Sequence, residues 1–271
     1  MNVSVVAQSL GAAHGEPHVA VRFPSLEDLA EFVPTTETIE AEGLVGFGRK
    51  PLAARPFNLL RAQVLKRAAK LGGHLFGVTS AAPDAGKSFV TTNVAAALAR
   101  IPGQRVVLID LDLRRPSIAD RFGLDLEQGI DAWLLGKTDD LRQCGVQVKG
   151  TGLSIFPANR VGDGSGELLA SAHFEALANA MRQLPESTIV LCDLPPAFVS
   201  DDAMTAVSKL DGYIHVIDEG VTPKRQAEEL RLLMDPAPCL GAVLNRYSGR
   251  WNDSYGYSAG RKYARYYDQE D

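Results

Sequence analysis

The sequence predicts an α/β fold, a parallel sheet sandwiched by helices. Three observations carry this. Six short runs, at 74–80, 105–112, 153–158, 188–195, 212–218 and 239–245, are apolar throughout rather than alternating. Strands covered on both faces have that pattern. Helical stretches at 88–101, 166–184, 201–210 and 223–234 lie among them, and such alternation specifies a parallel sheet with helices on both sides. The junction of the first run and the first helix reads TSAAPDAGKS, residues 79–88. It ends like a phosphate-binding loop. Ligands of such sheets sit beyond the carboxyl ends of the strands, where this junction falls.

The flanks differ from the centre. Residues 1–50 are turn-rich and without a long period, and they read as a disordered or weakly helical leader. A short helix within SLEDLAEF is expected there, with Ser25 as its N-cap. A longer helix is expected over 57–73, with Leu60, Val64 and Leu71 at helical spacing and two glycines ending it. The domain itself is placed at 51–246. Residues 247–271 form a tail short of aliphatic residues, which holds six of the seven tyrosines.

Bulk composition bounds the function. A formal net charge of -5 argues against a general nucleic-acid binder, so no nucleic-acid partner is expected. No apolar run approaches the roughly 18 residues of a membrane span, and the first residues lack the basic start and apolar core of a secretory signal. Cys144, Cys192 and Cys239 show no metal spacing, and two of them sit in strongly apolar runs, which reads as buried free thiols. These features point to the cytoplasm.

The phosphate site is read from its chemistry. Phosphates bind where backbone N–H groups converge at a helix N-terminus. Gly86 lets the backbone approach, Lys87 reaches the phosphates, and Ser88 offers a hydroxyl to Mg2+. Ala81 stands where the usual first glycine belongs, so that position needs a negative φ. Pro83 must sit where no donor is required. The run VVLIDLDLRRP ends a strand with Asp110 and Asp112 on one face. These acids either flank a cation or serve as one helix cap and one partner of Arg114 or Arg115. In TIVLCDLPP, Asp193 follows an apolar run and precedes two prolines, a place that suits Mg2+ contact or a structural turn. Together the segments point to Mg2+-nucleotide binding, and their resemblance to P-loop NTPases with a deviant, partition-ATPase-like Walker A loop implies ATP with Mg2+.

Here the residues carry a resemblance. APDAGKS, VVLIDLDLRRP and IVLCDLPP resemble the Walker A, A′ and B motifs of the bacterial tyrosine kinases, which govern chain length and export of capsular and exopolysaccharides. The resemblance covers roughly residues 52–247 and the tyrosine-rich tail, and includes GIDAWLLGK and LSIFPANRVGDGSGELLAS. The septum-site and partition ATPases carry a second lysine early in the loop. Here Ala82 stands there and Pro83 follows, which points to the kinase branch.

The resemblance implies roles. Ala82, Pro83, Asp84, Ala85, Gly86, Lys87, Ser88 and Phe89 would hold the nucleotide, with Asn245 at the adenine. Ser88, Asp110 and Asp193 would position the metal. Lys87, Asp110 and Asp112 would be catalytic, with Asp112 taking the proton of the attacking tyrosine. Tyr255, Tyr257, Tyr263, Tyr266 and Tyr267 would be the autophosphorylation sites. A membrane chain-length protein (a polysaccharide co-polymerase) would be the partner, holding the protein at the inner face of the plasma membrane, with a homo-oligomeric ring as the assembly. One departure stands out. The family's E-x-x-R-x-x-R pattern aligns with Arg55, Asn58 and Arg61, and only the last arginine matches. A regulatory ATP-binding switch and a partition-type ATPase are the alternatives.

Overall fold

The computed structural model describes residues 21–47, 51–125 and 127–247. In chain order, β1 (Ala30–Phe32) and α1 (Thr36–Ala41) precede the long helix α2 (Pro51–Leu71). Strand β2 (Leu75–Ser80) leads into α3 (Lys87–Ala99), then β3 (Arg105–Asp110), α4 (Ile118–Phe122) and α5 (Ile130–Leu134). Next come β4 (Val146–Val148), β5 (Leu153–Phe156), α6 (Ser165–Leu169), α7 (Ala172–Arg182) and β6 (Thr188–Asp193). Then follow α8 (Asp202–Val207), β7 (Gly212–Asp218), α9 (Lys224–Leu233) and β8 (Cys239–Asn245).

The eight strands form one sheet in the order β1-β4-β5-β3-β6-β2-β7-β8. Every pairing is parallel except β4 with β5. The six apolar runs of the sequence are the contiguous block from β5 to β8. In the middle of this block the apolarity has a direct cause, since all residues of β2, β5 and β6 are buried. Strand β8 departs from the expected cover on both faces, with Cys239, Ala242 and Leu244 exposed, because it is the outermost strand on its side. Alternate residues feed opposite cores. Val107, Ile109, Val190 and Cys192 pack with α5 and α7 on one face. Val106, Leu108, Ile189 and Leu191 pack with α2 and α3 on the other.

Residues 21–47 depart from the expected leader. They are folded against the domain. Ser25 does begin a turn, since Asp28 accepts from both its backbone N–H and its hydroxyl, but the turn is a 3-10 piece of three residues. Strand β1 follows it and joins the sheet edge through β4. Leu44 is fully buried, and the Phe23 ring lies 4.9 Å from that of Phe156. Asn93 of α3 ties the segment down, accepting from the Gly46 N–H and donating to the Gly43 carbonyl. These contacts are long-range, so no local period announces them.

The helix expected over 166–184 is two helices, because Ser171 caps α7 by accepting from the Phe174 N–H at 3.3 Å. Cys144 and Cys192 are buried thiols, but Cys239 is exposed. It opens β8, the outermost strand on its side of the sheet, where only one neighbour covers it.

Candidate nucleotide site

The loop between β2 and α3 lies at the carboxyl end of the central strands. Gly86 takes a φ of 83° and Asp84 a φ of 60°. Among the described residues Asp84 and Arg246 are the non-glycine positions with positive φ. Ala81 therefore satisfies the requirement set by its missing glycine, and it is buried. Gly86 is needed twice over. Its φ is left-handed, and a Cβ there would stand 2.1 Å from Asn245 Nδ2. That amide reaches the loop from the end of β8 and donates to the Ala85 carbonyl at 2.9 Å.

Helix α3 opens directly on Lys87, Ser88 and Phe89, whose N–H groups precede the first intrahelical bond, Val90 to Gly86. Such unbonded N–H groups at the positive end of a helix attract anions. The Phe89 ring itself packs against Phe57, centroids 5.7 Å apart, so only its backbone faces the loop's task.

The acidic residues converge on the lysine. Lys87 Nζ lies 2.7 Å from Asp112 Oδ2 and 4.0 Å from Asp193 Oδ2. Thr91 donates to Asp193 Oδ1 at 3.0 Å. Asp110 and Asp193 are direct cross-strand neighbours, and both are fully buried. Asp110 is used mainly by the backbone. Its Oδ1 accepts from the Asp112 N–H, and its Oδ2 from the N–H groups of Ser117 and Ile118. It thus caps α4 and holds the turn that carries Asp112. The cap half of the structural alternative is realised. The arginine half is not, because Arg114 pairs with buried Asp202 at 3.0 Å rather than with either strand-end acid.

This crowding is costly without a counter-charge. Burial, then the charge of Asp193, pushes Asp110 up to about 8. Burial also raises Asp193, opposed chiefly by Lys87. Burial would lower Lys87, but the charges of Asp193 and Asp112 outweigh it and raise it. Three carboxylates face one ammonium, and Asp193 Oδ2 is buried with no hydrogen-bond partner. A divalent cation fits that imbalance. No group of three or more acidic, histidine or cysteine side chains among the described residues forms an all-protein metal cage. Mg2+ needs none beside a nucleotide, since it takes one or two carboxylates and fills its shell with phosphate oxygens and water.

The structure thus gathers residues 82–89, Asp110, Asp112, Asp193 and Asn245 at one place. An open pocket of about 630 Å³ adjoins them, lined among others by Arg115, Arg121, Arg160 and Arg246. The five candidate tyrosines lie outside the described residues. Sequence reasoning missed Thr91, the Arg114–Asp202 pair and the arginines of the pocket. Thr91 carried a usable signal, since it lies one helical turn after Lys87 and so shares its face.

The fold and site define a class. The chain belongs to the CobQ/CobB/MinD/ParA nucleotide binding domain family, whose model matches residues 76–265. Within that class it belongs with the bacterial tyrosine kinases. It is 31% identical over 182 residues to the tyrosine-protein kinase YwqD of Bacillus subtilis, covering 66% of this chain and 75% of the relative. It is 32% identical over 206 residues to the succinoglycan biosynthesis transport protein ExoP of Rhizobium meliloti. That match covers 71% of this chain but 25% of ExoP. Among solved structures, the kinase domain of Escherichia coli tyrosine kinase ETK shares the fold, with a TM-score of 0.69 at 23% identity, covering 80% of this chain and 88% of that one. The septum site-determining protein MinD of Pyrococcus horikoshii, complexed with Mg-ADP, shares it at a TM-score of 0.55 and 19% identity, covering 65% and 71%. The enzyme class that goes with the kinase branch is a protein-tyrosine kinase. No helix among the described residues is long and apolar enough to cross a membrane.

Proposed function

We propose that this protein is an ATP-dependent protein-tyrosine autokinase that controls the chain length and export of an exopolysaccharide or capsule. Its tail tyrosines Tyr255, Tyr257, Tyr263, Tyr266 and Tyr267 are the acceptors. The observation that carries this is the Lys87–Asp112–Asp193 cluster at the loop, within a chain of the kinase branch.

Bound Mg2+-ATP supplies the phosphoryl group and the charge that neutralises it in transfer. The chain's residues do the rest. The N–H groups at the start of α3 and the Lys87 ammonium bind phosphate oxygens. Ser88 and Asp193, with its unpartnered Oδ2, hold the metal. Asn245, beside the loop, borders the base. Asp112 gives up Lys87 to the nucleotide and accepts the proton from a tyrosine Oη, a useful step for a group of pKa near 10. Asp110 works at one remove, fixing the turn on which Asp112 stands.

A membrane chain-length protein is the partner, as the likeness to ExoP suggests, and it holds this chain at the inner face of the membrane. The altered arginine pattern bears on assembly. Arg61 is engaged within the chain, donating to the Ala97 carbonyl at 2.8 Å, so a ring would use other contacts. Replacing all five tail tyrosines by Phe tests the reading. Phosphate incorporation from ATP should vanish while ATP binding persists. Equal incorporation with and without them would overturn the assignment of the tail.

A further inference from the structure

The pocket beside the nucleotide loop is lined by six cations and three carboxylates: Lys87, Arg114, Arg115, Arg121, Arg160 and Arg246 against Asp84, Asp112 and Asp163. Most of these cations are already engaged. Lys87 pairs with Asp112, Arg114 with Asp202, Arg121 with Glu42 and Arg246 with Asp218. Two remain. The side chains of Arg115 and Arg160 are exposed and have no hydrogen bond or ion pair among the described residues. Arg115 also stands next to the chemistry, since its N–H donates to Asp112 Oδ1 at 3.0 Å.

Arginine pairs best with planar carboxylates, which its fork can hold through two N–H groups. The chain contains one segment with matching chemistry. In YARYYDQED, residues 263–271, three acids (Asp268, Glu270 and Asp271) follow directly on Tyr266 and Tyr267. The other tail tyrosines have no such acidic run after them, and Arg261 and Lys262 follow Tyr257. The described chain leaves from the same place, because Arg246 lines the pocket and Tyr247 is the last described residue. Tyr266 lies nineteen positions after Tyr247, enough when extended to span roughly 60 Å.

We propose that Arg115 and Arg160 are the specificity residues of the pocket, gripping the carboxylates of segment 263–271 so that Tyr266 or Tyr267 is delivered to Asp112 ahead of the other tail tyrosines. This rests on the autokinase reading for its chemistry, but not for its binding contact. The acids anchor the segment and the adjoining tyrosine ring enters the cleft between Asp112 and the nucleotide loop.

The test uses the full chain carrying D268N/E270Q/D271N, so that its own tail does not compete, and a labelled peptide of residues 263–271. Peptide binding should weaken about fivefold or more when R115Q/R160Q is added, the scale of two exposed charge pairs. A peptide with the three acids neutralised should bind equally poorly to both. ATP affinity should stay unchanged, and added salt should weaken only the binding that depends on the arginines. Parallel loss of ATP affinity would assign the arginines to the nucleotide and overturn the proposal, as would indifference of binding to the acids. Phosphate mapping then separates the two readings. Acid-dependent binding without any phosphotyrosine would leave the grip standing and sink the kinase. Transfer to Tyr266 and Tyr267 that ignores the arginines would do the reverse.

Discussion

Gly86→Ala probes the loop most sharply, because two separate penalties meet there. The first is backbone. Gly86 has a φ of 83°, and an L-residue in the left-handed region costs about 1–2 kcal/mol. The second is steric. The new Cβ would lie 2.1 Å from Asn245 Nδ2, so Asn245 must swing away and release the Ala85 carbonyl. A lost hydrogen bond of this kind costs about 0.5–1.5 kcal/mol. The sum is about 1.5–3.5 kcal/mol. Asn245→Ala removes the obstacle but not the backbone strain. In that background Gly86→Ala should cost only the first part, leaving a coupling of about 1 kcal/mol between the two sites. Urea midpoints of the four proteins of this cycle measure it. Equal cost of Gly86→Ala in both backgrounds would refute the steric argument, and a cost near zero would refute both parts.

Further outcomes follow from other contacts. Asp110 holds its proton up to about pH 8 in the folded protein, whereas an unfolded aspartate releases it near pH 3.9. Its stabilising contribution is therefore full below about pH 4 and lost as pH rises toward 8. Without nucleotide or divalent cations, Tm should fall between about pH 5 and pH 8. Asp193→Asn, which removes a neighbouring buried charge, should flatten that fall. Thr91→Val strips Asp193 of the hydroxyl at 3.0 Å and should cost about 1–3 kcal/mol in urea unfolding. Arg114→Ala leaves buried Asp202 with Ser165 as its remaining side-chain partner and should cost a similar amount, read the same way. Asn93→Ala frees the carbonyl of Gly43 and the N–H of Gly46, and hydrogen exchange over residues 36–47 should speed up.

The centre of the fold was legible because burial on both faces leaves its mark on each strand residue. The six apolar runs became six adjacent strands, and the lysine loop and strand-end acids met where a parallel sheet places its ligands. The edge formed by β1 and β4 was not legible. Strands β1 and β4 have three residues each, too few to show a period, and β1 exists through pairing with β4, a partner far along the chain. Ser171 split a helix that looks continuous in hydrophobicity, since a cap is a local hydrogen bond and not a pattern. Asp110 was recognised as part of the site, but its hold on the backbone of Ser117 and Ile118 depends on how the turn folds back. The arginine pocket joins residues from five segments, which only the tertiary structure brings together.

The central claim is transfer of phosphate from ATP to this chain's own tyrosines. It is tested most directly by mapping phosphotyrosine after incubation with Mg2+-ATP, in the presence of the membrane partner, beside a Lys87→Met control. Phosphate on residues between Tyr255 and Tyr267, lost in the control, is the predicted result. ATP binding without any phosphotyrosine would contradict it and leave a nucleotide-dependent switch in its place.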